Sequence, residues 1–247
     1  MPLDSLYGYQ IRSGKLYGLK SVYKFGYREE VSTTKVIIGT VGINYDALET
    51  AQQLKVSSSS TSDTSAGTGA RTVQIYGVDG NYNEVSETII MNGQTAVTTA
   101  NSYLRVYRGK VLTAGSAKSA AGAIHIGYGT VTSGVPATKL MTIPLGENQS
   151  LIAAWTVPSG YTGYLYQATI SSGTESSNKY VIARVEVREV GSVWQTKEKG
   201  SFTVGELRFD LALPAVIPEK SDIKLTAIAS SGTQDVSGSF VMVYEKN

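Results

Sequence analysis

The sequence predicts an all-β protein: two antiparallel β-sandwich domains of jelly-roll type, preceded by an extended N-terminal arm. Three observations predict it. Apolar and polar residues alternate over short runs, the period of a half-buried strand. Turn residues punctuate the chain roughly every 8–12 residues, the spacing of sandwiches and barrels. Strand-forming residues abound, 16 tyrosines among them, and only one segment has helical spacing.

The arm spans residues 1–30. Leu6-Tyr7-Gly8 returns as Leu16-Tyr17-Gly18, Tyr9 lies between them, and Tyr23, Phe25 and Tyr27 follow. No period of 2 or 3.6 persists. The stretch Arg12 to Arg28 holds Arg12, Lys15, Lys20, Lys24 and Arg28 with no acid among them, which suits a solvated segment. Rings this numerous cannot bury one another on an isolated arm. Docking on the protein's own body and docking on a neighbour satisfy them equally, so these aromatics are interface candidates.

The first domain covers residues 31–135. Lys35 to Gly39 reads as a short strand, and Asp46 to Leu54 as a helical turn because Ala47, Leu48, Ala51 and Leu54 recur at three and four. Ser57 to Gly69 has the composition of an exposed, mobile loop. Arg71 to Val78 alternates, Asp79-Gly80-Asn81 turns it into Glu84 to Met91, and Asn92-Gly93 turns the chain again. Strands at Thr95 to Thr99, Tyr103 to Tyr107, Lys110 to Leu112 and Ala123 to Gly127 complete it. Residues 128–138, rich in Gly, Ser and Thr, read as the boundary.

The second domain covers residues 136–247. Strands are expected at Leu140 to Ile143, Ser150 to Val157 and Tyr161 to Ile170, with a polar loop from Ser171 to Asn178. Tyr180 to Glu189 alternates strictly, with Val181, Ala183, Val185 and Val187 inward and Arg184, Glu186 and Arg188 outward. Gly191-Ser192 suits a tight hairpin turn. Leu207, Phe209, Leu211 and Leu213 form another inward set, and Ile223, Leu225 and Ala227 a third. With Phe240 to Tyr244 this gives about eight strands, the number a jelly roll uses. One continuous elaborated barrel would satisfy the same pattern as two sandwiches.

Composition bounds the chemistry. The 247 residues contain no cysteine and one histidine, which excludes thiol nucleophiles, disulfides and Cys/His zinc sites. His125 lies in a strand without a nucleophile elbow and reads as a satisfied strand histidine. Glu84 with Glu87, and Glu186 with Glu189, read as cross-strand partners of basic residues on hairpins, not as a paired-carboxylate site. Asp79, Asn81 and Asn83 imitate the start of a calcium loop, but Glu84 and Ile90 stand where glycine and glutamate are needed. Gly67-Thr68-Gly69 lacks the third glycine and the helix of a phosphate loop. No catalytic residue, metal or cofactor is therefore expected. A net charge of +2 with no basic stripe gives no reason to expect a nucleic-acid partner. No long apolar run or signal peptide is seen, so no membrane is expected and synthesis in the cytoplasm is. Trp155 and Trp194, near Tyr161, Tyr164 and Tyr166, read as core or interface anchors before they read as a sugar platform.

Several segments resemble one family. Ser62 to Asp79, Tyr82 to Thr88, Leu112 to Ser116, Gly146 to Leu151, Thr156 to Gly160 and Pro218 to Lys224 are similar to phage-encoded virion-associated proteins of environmental and marine phages. The resemblance covers roughly residues 56–247 and leaves the arm outside. It implies a location in the virion after synthesis in the host cytoplasm, and it brings no catalytic residues.

The expected function is a non-enzymatic structural one in a bacteriophage particle, capsid-associated as a minor shell or decoration (cement) protein. The expected partners are copies of itself, a trimer being one arrangement, and other virion proteins such as the major capsid protein. The alternatives are a tail, neck or fibre-attachment protein, or a receptor- or glycan-binding module. Tyr7, Tyr9, Tyr17, Tyr23, Phe25, Tyr27, Trp155 and Trp194 are the candidate interface residues.

Overall fold

The computed structural model describes residues 5–173 and 179–247, with side chains from residue 8 onward. In chain order the elements are α1 (Ser5–Arg12), β1 (Leu19–Val31), β2 (Val36–Ile37), β3 (Gln52–Ser58), β4 (Ala70–Val78), β5 (Glu84–Ile90), β6 (Val97–Tyr103), β7 (Arg105–Ala114) and β8 (Ile124–Thr132). They continue as β9 (Val135–Ile143), β10 (Ala154–Thr156), β11 (Tyr161–Ser172), β12 (Val181–Arg188), β13 (Gln195–Phe202), β14 (Gly205–Ile217), β15 (Asp222–Ala229) and β16 (Gln234–Lys246). The protein is all-β, as its alternation predicts, and every paired strand is antiparallel. Two compact units divide these elements: Met1–Gly39 with Ala153–Asn247, and Thr40–Ile152.

The first unit is a jelly roll. β2 and β10 count as two pieces of its second strand. First then pairs with last (β1 with β16), second with second-last (β2 and β10 with β15), third with third-last (β11 with β14), and the middle two with each other (β12 with β13). Nested pairing of this kind is what one long hairpin acquires when it is rolled up. It sorts the strands into the sheets β1-β16-β11-β14 and β10-β15-β12-β13, with β2 also on β15. Ile170, Phe240 and Met242 face Val185, Ile223 and Leu225 in a core from which water is almost fully excluded.

The split strand shows how the second unit enters the chain. Ile37 pairs with Thr226 and Ala154 with Lys224, on either side of Leu225. The Leu225 carbonyl accepts from the Ile38 amide and the Leu225 amide donates to the Ala153 carbonyl, both at 2.9 Å. The Ala153 amide donates to the Ile38 carbonyl at 2.9 Å. The ladder is thus unbroken although Thr40–Ile152 leaves and returns at this point. Space for the junction comes from the paired glycines Gly26 and Gly238 on the facing sheet. A Cβ on Gly26 would stand 2.2 Å from the Ile38 carbonyl oxygen and 2.5 Å from the Ala153 nitrogen.

Over the described residues 5–30, the expected arm of residues 1–30 is therefore not an arm. Residues 5–12 form α1, and β1 is the first strand of the jelly roll, hydrogen-bonded to β16 along its length. Its alternation is inverted, which hid it. Val22, Lys24 and Gly26 oppose the core residues Met242, Phe240 and Gly238, while Tyr23, Phe25 and Tyr27 face out. A bulge between Arg28 and Val31 ends the regular pairing. There Glu30 adopts a positive φ of 53°, its amide donates to Asp235 Oδ1 at 2.9 Å, and the Tyr27 hydroxyl donates to Asp235 Oδ2 at 3.0 Å.

The second unit has the sheets β6-β3-β8-β9 and β5-β4-β7. Leu54, Val56, Ile124 and Ile126 on the first, and Val73, Ile75 and Val106 on the second, are fully buried. Three expectations fail here for physical reasons. Asp46 to Leu54 forms no helix: Arg105 Nη1 takes the Leu48 carbonyl at 2.7 Å, and the Leu54 amide donates to Thr99 Oγ1 at 2.8 Å. The serine-rich segment Ser57 to Gly69 is not an exposed loop, because Asp63 organises it from inside. Its carboxylate accepts from Ser58 Oγ at 2.5 Å and from the amides of Ala70, Ala121 and Gly122 at 2.6, 2.8 and 3.0 Å. A buried carboxylate is tolerable only when paired or hydrogen-bonded in this way.

Residues 128–138 are not a boundary either. They form the β8–β9 hairpin, whose turn residues Ser133 and Gly134 have φ of 47° and 79°, the signature of a type I′ turn. Ser57 Oγ donates to the Gly134 carbonyl at 2.9 Å, so the turn is tied to β3. The divisions at 30 and 135 are thus replaced by a discontinuous first unit and an inserted second one, meeting at Gly39/Thr40 and Ile152/Ala153. A Gly26→Ala variant is expected to lose about 1–3 kcal/mol from crowding at the junction. Gly173→Ala, with no described atom within 4 Å of its Cβ, should change stability by less than about 0.5 kcal/mol in the same urea titration.

Candidate functional site

The outward face of β1-β16-β11-β14 is the most distinctive surface of the jelly roll. Core-facing Ala168, Ile170, Phe240 and Met242 fix which side points out. Strand register then sets four rows across the sheet: Ser21, Val243, Tyr164, Val216; Tyr23, Val241, Gln167, Asp210; Phe25, Ser239, Thr169, Arg208; and Tyr27, Ser237, Ser171, Glu206. At one edge Tyr23 is 54% and Phe25 39% exposed, forming an aromatic ridge beside Val241 and Gln167 in the one row and the small hydroxyls of Ser239 and Thr169 in the other. At the other edge Arg208 and Asp210 form an exposed ion pair at 2.8 Å.

Beside that pair β14 bulges. Asp210 pairs with Gln167 and Ala215 with Leu165, so Leu211 to Pro214 oppose only Tyr166. The bulge pushes Leu213 out to 84% exposure, and Val216 beyond it is 64% exposed. Leu213, expected inward with Leu207, Phe209 and Leu211, is thus an external knob, while those three are half-buried. The sequence signal was Pro214, which a regular strand interior does not accommodate.

The predicted interface residues do not form one surface. Tyr23 and Phe25 lie together on the ridge, and Tyr27 continues it half-buried, bound to Asp235. Burial and Asp235 raise the Tyr27 phenol above its ordinary value. Tyr9 is exposed on α1 with Lys15 Nζ 5.3 Å from its ring centre, and Tyr17 is exposed in the turn before β1. The side chain of Tyr7 lies outside the described residues.

Trp155 is 1% exposed and is a core residue. Its ring lies 4.9 Å from that of Tyr244, which is 5.3 Å from Tyr161, and Lys20 Nζ sits 4.9 Å from the Tyr161 ring centre. Trp194 is half-buried on the opposite sheet, where Lys224 Nζ and Arg188 approach its ring centre to 3.7 and 4.7 Å. Arg188 pairs with buried Asp222 at 2.6 Å, and Asp222 also accepts from Thr156 Oγ1 at 2.6 Å. Glu186, expected outward and exposed, is buried and paired with Lys35 at 2.7 Å.

The remaining candidates for chemistry have structural partners. His125 is buried in β8, 3.1 Å from Thr142 Oγ1, and burial with Lys139 nearby lowers its pKa to about 4. Asp79 accepts from the Asn81 and Asn83 amides at 2.8 and 2.9 Å, so its carboxylate closes its own turn. Glu87 accepts from the Ala100 amide at 2.9 Å, and Tyr107 donates to Glu84 at 3.4 Å. Among the described residues no cluster of three or more His, Asp or Glu could hold a metal ion, and no helix is long and apolar enough to cross a membrane.

No protein-family model matches the sequence, and no curated protein is similar to it. Among solved structures the chain is similar to that of infectious bursal virus derived T=1 particles, at 10% identity over 92% of this chain and 74% of that one, with a TM-score of 0.24. It is also similar to the STIV MCP, at 10% identity over 90% of this chain and 96% of that one, with a TM-score of 0.22. Likeness at these scores carries no argument, and the jelly-roll topology stands on its own strand pairing.

Two measurements check these placements. Trp155→Ala should cost about 3–5 kcal/mol in chemical denaturation, against about 1 kcal/mol or less for Trp194→Ala. For His125 the unfolded imidazole titrates near 6.5 and the folded one at about 4. Protons then favour the unfolded chain, so the His125 contribution is complete above about pH 7 and is lost as pH falls through 6.5 toward 4. His125→Gln should flatten the decline measured between pH 7 and 5.

Proposed function

We propose that this chain is a non-enzymatic structural protein of a bacteriophage particle, associated with the capsid as a minor shell or decoration protein. Its contacts are with copies of itself and with other virion proteins, among them the major capsid protein. The observation that carries this is the jelly roll with an aromatic ridge on its open sheet face. Rings standing on a solvated sheet are explained by a partner surface, since an isolated domain gains nothing from exposing them. Jelly rolls build viral shells and also lectins and cupins, so the fold alone does not decide. The absence of cysteine suits a protein folded in a bacterial cytoplasm before assembly.

The resemblance of residues 56–247 to virion-associated proteins supports the same reading. A tail, neck or fibre-attachment role uses the same architecture and is separated from a shell role by stoichiometry. The glycan-binding alternative is weakened because Trp155 is in the core and cations cover the Trp194 ring. Quantitative mass spectrometry of purified particles tests the proposal. Hundreds of copies per particle are expected for a shell or decoration protein. A few to a few dozen would transfer it to a vertex, neck or tail, and absence from particles would overturn it.

A further inference from the structure

We propose that the outward face of β1-β16-β11-β14 docks a second copy of this chain about a two-fold axis running parallel to the strands. The inference rests on the assembly role above and names the surface and partner that serve it. The area suffices. Strands about 4.8 Å apart, with 13 residues rising about 3.3 Å each in β1, β14 and β16, span roughly 800 Å² over four strands, of which the end row at Val243 (3% exposed) is already covered by the chain itself. That is about what each partner contributes to a standard stable interface.

Complementarity selects a second copy as the occupant. Rotation about an axis parallel to the strands exchanges the two edges of the sheet while keeping each row in place. The aromatic ridge of one copy then meets the β14 edge of the other, so each Phe25 ring faces the partner copy's Arg208 and each Tyr23 faces its Asp210, with Val216 one row on, opposite Ser21. A guanidinium over a phenyl ring is a favourable pair, and the Tyr23 hydroxyl has a carboxylate acceptor in the partner copy's Asp210. The Phe25 ring stands in the row of the small hydroxyl side chains of Ser239 and Thr169, which leave it space. Isologous docking makes every such contact twice. An in-plane axis perpendicular to the strands would instead stack ridge on ridge and bring Arg208 against its own copy.

The cysteine-free chain gives a direct test. Sedimentation equilibrium of the full chain should show a concentration-dependent species of twice 26.3 kDa. Phe25→Asp should raise the dimer dissociation constant roughly tenfold or more, while Val193→Asp, exposed on another strand connection, leaves it unchanged. Should Phe25→Asp fail to fold, the pair Phe25→Cys with Arg208→Cys answers independently. Those positions lie three strand spacings, about 14 Å, apart within one chain, too far for an internal disulfide. Oxidation should therefore give a dimer that reducing agent dissolves. A monomer at all concentrations, a three-copy species, a dimer indifferent to Phe25→Asp, or an uncrosslinked cysteine pair in a dimeric protein would each overturn the proposal. Absence from purified particles would sink the virion role and leave a crosslinked dimer standing, so the two failures are distinguishable.

Discussion

Ile38 and Ala153 hydrogen-bond to each other and to the two sides of Leu225, and the continuity of the jelly roll depends on that contact. A strand interrupted by a long excursion loses the entropy of closing a large loop each time it re-forms. The ladder recovers the cost by keeping every backbone group at the break paired, so that β15 meets its neighbour as though it were one strand. Gly26 and Gly238 follow from the same requirement. They sit opposite one another on the facing sheet, and Ile38 fills the space that two side chains would have taken.

The junction also governs the polarity of β1. With Gly26 forced inward against Ile38, its neighbours Phe25 and Tyr27 must point outward, and Lys24 must point in, where it is 6% exposed. An inward cation on a strand is normally costly. Farther along the same inward side, Lys20 lies over the rings of Tyr161 and Tyr244, whose negative faces attract an ammonium group. Register, once set by the glycine pair, thus turns Lys24 inward, brings the exposed Lys20 over two rings, and leaves the aromatic ridge outside. A one-residue slip would exchange the two sets and drive side chains into the junction.

Much of the fold was legible because alternation survives wherever one face is buried. Val181 to Val187 and Ile223 to Ala227 are inward as their period predicts, and the strand count and the class follow. Three features escaped because their signal is not periodic. The inverted alternation of β1 made a strand resemble an arm, and pairing across more than 200 residues leaves no local trace. Asp63 turned a serine-rich stretch inward through backbone amides, which composition does not encode. The insertion point at Gly39 carries no linker composition, whereas the glycine-rich hairpin at Ser133-Gly134 imitates one. Of the proposed docking surface, Tyr23, Phe25 and Tyr27 were visible as unplaced aromatics. Arg208, Leu213 and Val216 were not, because a bulge decides which way they face.

The two edges of the same sheet explain why association would use its face. An exposed edge strand offers unpaired amides and carbonyls to any other strand, and natural proteins blunt such edges with bulges, proline and inward-pointing charge. β1 carries the bulge at Arg28–Val31 and the inward Lys24, and β14 carries the four-residue bulge that ends in Pro214. Both free edges are therefore interrupted, and neither presents a long regular ladder. The face between them carries rings at the β1 edge, small hydroxyls with Gln167 in the middle, and Arg208, Asp210 and Glu206 at the β14 edge. Open-ended growth by edge pairing is disfavoured, while closed contact through a self-complementary face remains available. For the assembly role proposed above, that asymmetry favours a fixed number of copies over open-ended aggregation.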